Sequence, residues 1–131
     1  MIRILLDTNA YSDFKRGAQN LKHIVAEAQE ILVPIPVLAE LRVGFLGGAQ
    51  ETRNLAELEQ FLATPRVHVP PMGEQTALFY ARIYSDLKRA GTPIPMNDVW
   101  IAASSMEAGA VLITSDAHFP HIAGLLVKSG A

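Results

Sequence analysis

The run IRILL, residues 2–6, followed at once by Asp7 in DTNAYS, residues 7–12, decides how the rest of the chain is read. A short, mainly apolar run without polar alternation suits a strand buried on both faces, the kind found in parallel sheets. Other runs have the same character. ILVPI (31–35) is ended by Pro34 and Pro36, RVHV (66–69) is stopped by Pro70 and Pro71, AVLIT (110–114) is a further strand, and LLV (125–127) offers a fifth.

Between these runs the periodicity is helical. Leu21, Ile24, Val25 and Ala28 recur at spacings of three and four. A helix is expected from about 37 to 45, closing at Gly47-Gly48. Another runs from about 50 to 62 with Leu55, Leu58, Phe61 and Leu62 on one side. The next, 74 to 90, places Ala77, Ala81, Tyr84 and Leu87 inward and ends at Gly91 and Pro93; the last, 98 to 108, stops at Gly109. Strands alternating with helices imply βαβ units, hence an α/β fold with a mostly parallel sheet and helices on both faces. Ligands in such folds bind beyond the carboxyl ends of the strands, where strand order reverses.

At 131 residues the length fits one domain, 1–131, with a substantial core, and half the residues are apolar, which argues against disorder. No apolar run approaches the roughly 20 residues of a membrane span. The opening MIRILLDTN meets Asp7 too early for a secretory signal. With no cysteine there are no disulfides, thiol nucleophiles or zinc–thiolate sites. A soluble cytoplasmic protein without a membrane role is the expectation. The net charge of −2, from 11 basic and 13 acidic residues, excludes nucleic-acid binding by a general positive field but not by a local site.

Acids gather where the α/β rule places a site. Asp7 directly follows the first strand, and Asp116 follows AVLIT by one residue. Asp98, in PMNDVWIAA (95–103), opens the helix that feeds AVLIT. Glu40 lies one turn into the helix after the second strand. Singly, each has a bland role: an aspartate after a strand caps a turn or helix, Asp98 complements a helix dipole, and Glu40 pairs with Arg42 or reaches solvent. Together they repel, since each nearby charge makes the next harder to ionise. A hard dication, Mg²⁺ or Mn²⁺, gives a reason to gather them.

The ordered series LLDTNAYS, PVLAELRVG, NDVWIAA and LITSDAHF resembles the motif series of the PIN domain, in particular that of VapC-type toxins. The resemblance covers nearly the whole chain. It implies a three-layer α/β/α fold with a central parallel sheet of about five strands, and metal-dependent endoribonuclease activity leaving 5′-phosphate and 3′-hydroxyl ends. Position by position it implies an acidic site of Asp7, Glu40, Asp98 and Asp116. Asp7, Asp98 and Asp116 would be the main ligands of Mg²⁺ or Mn²⁺, with Glu40 acting through water. Thr114 and Asn9 would steady the carboxylates. Two places depart from the family pattern: Met96 stands where relatives often have a glycine before Asn-Asp, and Ala117-His118 where many carry a charged or polar pair.

The implied partners are an RNA substrate, a VapB-type antitoxin that blocks the pocket, and a second copy in a homodimer. No reading helix for DNA is visible in this chain alone. Phe45, Leu46, Leu55 and Leu58 are the expected groove for the antitoxin helix. Lys15, Arg16 and Lys22 are candidate phosphate contacts, although solvated surface charge is their commoner role. His118 and His121 are spaced by three, yet Mg²⁺ and Mn²⁺ sites favour oxygen, which leaves His118 without an assigned role. Phe79, Tyr80 and Tyr84 read as core or subunit interface, and Trp100 as core. A receiver domain would need an aspartate after a middle strand, which RVHVPP lacks. A HAD-type phosphatase needs an acid at position 9, which is Asn, and a dinucleotide site needs a glycine-rich turn that DTNAYS lacks. The remaining alternative is a non-catalytic PIN-like module that binds RNA or protein.

Overall fold

The structure, a computed structural model, describes residues 2–131. Five parallel strands form one sheet in the order β3-β2-β1-β4-β5: β1 (Arg3–Leu6), β2 (Glu30–Leu32), β3 (Val67–His68), β4 (Val111–Ile113) and β5 (Val127–Lys128). Six helices flank it: α1 (Thr8–Lys15), α2 (Gln19–Glu27), α3 (Ile35–Phe45), α4 (Glu51–Leu62), α5 (Glu74–Ala90) and α6 (Met96–Ala108). This is the three-layer α/β/α arrangement expected from the alternation of strand and helix patterns. No helix among the described residues is long and apolar enough to cross a membrane.

IRILL occupies the middle of the sheet because its side chains can be buried on both faces. Ile4, Leu5 and Leu6 are 1%, 0% and 0% exposed. Leu5 is in register with Leu32 of β2 on one side and Leu112 of β4 on the other. Fully burying side chains of this size stabilises by about 1.5–3 kcal/mol each, which makes β1 the anchor of the fold. Chain order leaves β1 towards β2 and β3, then returns past it to β4 and β5. The reversal lies between β1 and β4, so the crevice for a ligand opens beyond Leu6 and Ile113.

Gly91 and Gly109 end α5 and α6 with φ of 75° and 64°, the left-handed conformation that a side chain disfavours. Arg3 ties the base of β1 to its surroundings: its guanidinium donates to Glu30 at 2.9 Å and to the Ala108 carbonyl at the end of α6 at 2.5 Å.

Several sequence expectations shift. A helix not expected from the periodicity, α1, takes in most of DTNAYS, because Asp7 caps it immediately after β1. The inner face of α5 is Thr76, Ile83 and Leu87, whereas Ala77, Ala81 and Tyr84 face out. Small alanines fit the helical spacing but carry too little apolar surface to fix which face turns inward. Trp100 is half-buried instead of core, with its ring 4.2 Å from that of Tyr80, which in turn stacks on Tyr84 at 6.2 Å. Leu58 is fully buried and so contributes nothing to a surface groove, whereas Leu46 is exposed and Phe45 and Leu55 are partly so.

Candidate active site

Asp7 is the N-cap of α1, and its role as a cap is real: Oδ1 accepts the Ala10 backbone N–H at 2.8 Å. The cap uses only one of its oxygens. Oδ2 accepts from the hydroxyl of Thr114, just beyond β4, and so crosses the point where the strand order reverses. Thr114 Oγ1 also accepts the Asp116 backbone N–H at 3.0 Å. One buried hydroxyl therefore fixes the first acid and the loop that carries the last.

Asp98 answers differently to the question of capping. The helix α6 begins at Met96, two residues earlier than expected, with Pro95 as N-cap and no side-chain hydrogen bond to the helix end. Asp98 sits in the first turn, where its charge suits the helix dipole. Its carboxylate instead faces the loop after β4: Oδ2 lies 2.8 Å from His118 Nδ1. The same Nδ1 is 3.2 Å from Asp116 Oδ1, which also accepts the His118 backbone N–H at 2.9 Å. Ligand atoms of Asp98, Asp116 and His118 all lie within 4.8 Å of one another. Glu40 is exposed on α3 and accepts from the hydroxyl of Thr8 at 2.5 Å.

The four carboxylates share one electrostatic environment. Burial is the main force raising the Asp7 carboxyl above its ordinary value. Hydrogen bonds from Thr114 and Ala10 oppose it, and the charges of Asp116 and Asp98 add to it. Burial likewise raises Asp98, opposed by the His118 hydrogen bond and reinforced by Asp116 and Glu40. The hydrogen bond to Asp98 holds the His118 imidazole above its ordinary value, against desolvation and with help from the charges of Asp116 and Asp98.

Among the described residues, no lysine or arginine pairs with any of these acids; the single side-chain counter-charge is His118. Arg42, the expected neutraliser of Glu40, pairs with Glu59 of α4 at 3.1 Å. A set of carboxylates from four separate segments, one of them 5% exposed and none with a lysine or arginine partner among the described residues, fits a hard dication. A family model described as PIN domain matches residues 4–125. The chain belongs to the PIN-domain family.

Among relatives, this PIN domain is 35% identical over 117 residues to "Ribonuclease VapC1" of Haemophilus influenzae (strain R2866), covering 84% of each chain. It is 27% identical to "tRNA(fMet)-specific endonuclease VapC" of Salmonella typhimurium, covering 98% of each. Its fold matches a chain in a crystal structure of DNA-bound VapBC from Salmonella typhimurium with a TM-score of 0.85, at 25% identity and full coverage of both chains.

The structure sets Asp98 and Asp116 within ligand distance of one another and of His118, ties Asp7 to them through Thr114, and leaves Glu40 at the margin on Thr8. It does not bring in Asn9, which is exposed and makes no side-chain hydrogen bond among the described residues; Thr8, beside it, makes the contact to an acid instead. Within DTN the signal for Thr8 was its position at the start of α1, which turns its hydroxyl towards α3. His121 lies away from the acids, in a cavity beside α5.

Proposed function

We propose that this PIN domain is a metal-dependent endoribonuclease and the toxin of a toxin–antitoxin pair. The observation that carries the reading is the pairing of Asp98 with Asp116 at ligand distance, with Asp7 linked to them through Thr114, and no lysine or arginine partner for any of the three among the described residues. Asp7, Asp98 and Asp116 would hold Mg²⁺ or Mn²⁺, with Glu40 reaching it through water. When bound, the cation offsets the carboxylate charge and polarises the scissile phosphodiester.

The chain's own residues supply the positioning. Asp7 is locked by two hydrogen bonds, from Ala10 and Thr114, so its second oxygen cannot swing away from the crevice. Thr114 sets Asp116 through the backbone of the loop. Glu40, exposed and steadied by Thr8, would orient the attacking water for in-line displacement. The RNA backbone would run along α1, where Lys15, Arg16 and Arg53 border a cavity of about 280 Å³. Lys15 stands about 12 Å from Asp7 by helix rise, a span of roughly two nucleotides.

The antitoxin, of VapB type, would cover the crevice and dock on the apolar surface of α3, where Val43 and Leu46 are 70% and 67% exposed. A homodimer would use other surface, with the half-exposed Tyr84 a candidate. Incubating the chain with structured RNAs in Mn²⁺ or Mg²⁺ tests the activity. Cleavage dependent on the cation, and lost in both Asp7→Asn and Asp98→Asn, supports the enzyme. Cleavage retained in either variant moves the chemistry elsewhere.

A further inference from the structure

We infer that His118 is a nitrogen ligand to the cation at this site, and that it makes the site prefer a transition-series dication, Mn²⁺, over Mg²⁺. The inference rests on the acidic-site reading above and adds a residue and an ion preference to it. Ligands at neighbouring vertices of an octahedral site, with bonds near 2.1 Å, stand about 3.0 Å apart. His118 Nδ1 lies 2.8 Å from Asp98 Oδ2 and 3.2 Å from Asp116 Oδ1. Those separations straddle the octahedral edge, and the three ligand atoms all fall within 4.8 Å of one another.

Local backbone geometry holds the imidazole in that place. Asp116 Oδ1 accepts the His118 backbone N–H at 2.9 Å, a tight turn that puts the ring beside the carboxylate two residues earlier. The side chain is 46% exposed, so core packing does not hold it against the acids. Nε2 has no hydrogen-bond partner among the described residues. A neutral ring protonated at Nε2 would present the Nδ1 lone pair to the same point as the carboxylate oxygens. Mn²⁺ also favours oxygen but, as a transition-series ion, accepts an imidazole nitrogen more readily than Mg²⁺, which takes oxygen almost exclusively, so a nitrogen in the set separates Mn²⁺ from Mg²⁺.

The competing arrangement is a protonated ring that bridges the two carboxylates only while no cation is present. Pulsed EPR on the full chain loaded with Mn²⁺ separates the two, together with calorimetric titration of Mn²⁺ and Mg²⁺ into the parent, His118→Ala and Asp98→Asn. The inference predicts nitrogen hyperfine modulation on Mn²⁺ in the parent and none in His118→Ala. It also predicts that His118→Ala binds Mn²⁺ about tenfold more weakly, with Mg²⁺ affinity changed less than about threefold. A parent without nitrogen modulation overturns it, as does an equal loss for both ions. Asp98→Asn marks which reading has failed: if it keeps full Mn²⁺ affinity, the acidic site itself falls; if it loses both ions while the parent shows no nitrogen coupling, only the ligand role of His118 falls.

Discussion

Leu6 and Asp7 are neighbours in the chain and almost equally buried, at 0% and 5% exposure, yet they sit there for opposite reasons. Leu6 is where an apolar side chain belongs, in the most enclosed strand of the sheet. Asp7 is a charged group in the same enclosure; burial and the charges of Asp116 and Asp98 push its carboxyl upward, and two hydrogen bonds only partly offset this. One residue holds the fold together and the next strains it. The boundary between stabilising and functional sequence in this molecule therefore falls between positions 6 and 7, at the end of β1.

Exchanging residues on each side of that boundary should separate stability from activity. The largest effect is expected in Asp98→Asn, which keeps the shape of the side chain but removes a charge from the site. RNA cleavage should fall by about a thousandfold or more, in line with losing a principal electrostatic group, as single-turnover cleavage at saturating enzyme would show. On the other side, Leu5→Ala should cost about 2–5 kcal/mol in denaturant unfolding, as buried large-to-small changes do. Its cleavage rate per folded molecule should stay close to the parent's.

Thr114→Val falls between the two. It removes the hydroxyl that donates to Asp7 and accepts from the Asp116 backbone. Activity should drop about 10–100-fold through misplaced carboxylates, with a stability loss of about 1–3 kcal/mol for the unpaired buried groups. A rate unchanged within error would remove Thr114 from the site.

The smallest effect runs in the unusual direction. In EDTA, Asp98→Asn should melt about 3 °C above the parent, because removing the charge relieves its burial and then its repulsion by Asp116 and Glu40, a modest fraction of total stability. In excess Mn²⁺ the order should reverse, since only the parent gains from binding. The pH dependence carries the same sign. A carboxyl raised above its unfolded value of 3.8 favours the folded state most below that pH, and the advantage is lost as pH rises through the folded value. The melting gap between Asp98→Asn and the metal-free parent should therefore widen as pH is raised from about 4 to about 7. A constant gap would mean that neither burial nor the neighbouring carboxylates raise Asp98 in the folded chain.

Much of this was readable from residues alone, for identifiable reasons. The apolar runs fixed where strands lie, because buried parallel strands tolerate little polarity, and Gly91 and Gly109 marked helix ends through their left-handed conformation. That Asp98 and Asp116 approach one another, with Asp7 linked to them through Thr114, was legible because a parallel sheet delivers every strand end to one edge. Fine placement was not. Alanine spacing in α5 mistook the inner face, since the pattern left out Thr76, which is buried and donates its hydroxyl to Glu107 of α6, 31 residues away. Arg42 sits near Glu40 in sequence but pairs across to Glu59. His118 was visible as a residue but not as part of the site, because its role depends on a turn made by Asp116 and on the direction in which Asp98 points.

Anomalous diffraction at the manganese edge, from crystals of the full chain grown with Mn²⁺, tests most directly whether these segments converge in order to hold a dication. The account predicts a peak at bonding distance from carboxylate oxygens of both Asp98 and Asp116, beyond the carboxyl ends of β1 and β4. A saturated crystal with no peak there, or with manganese bound only on another surface, would contradict it.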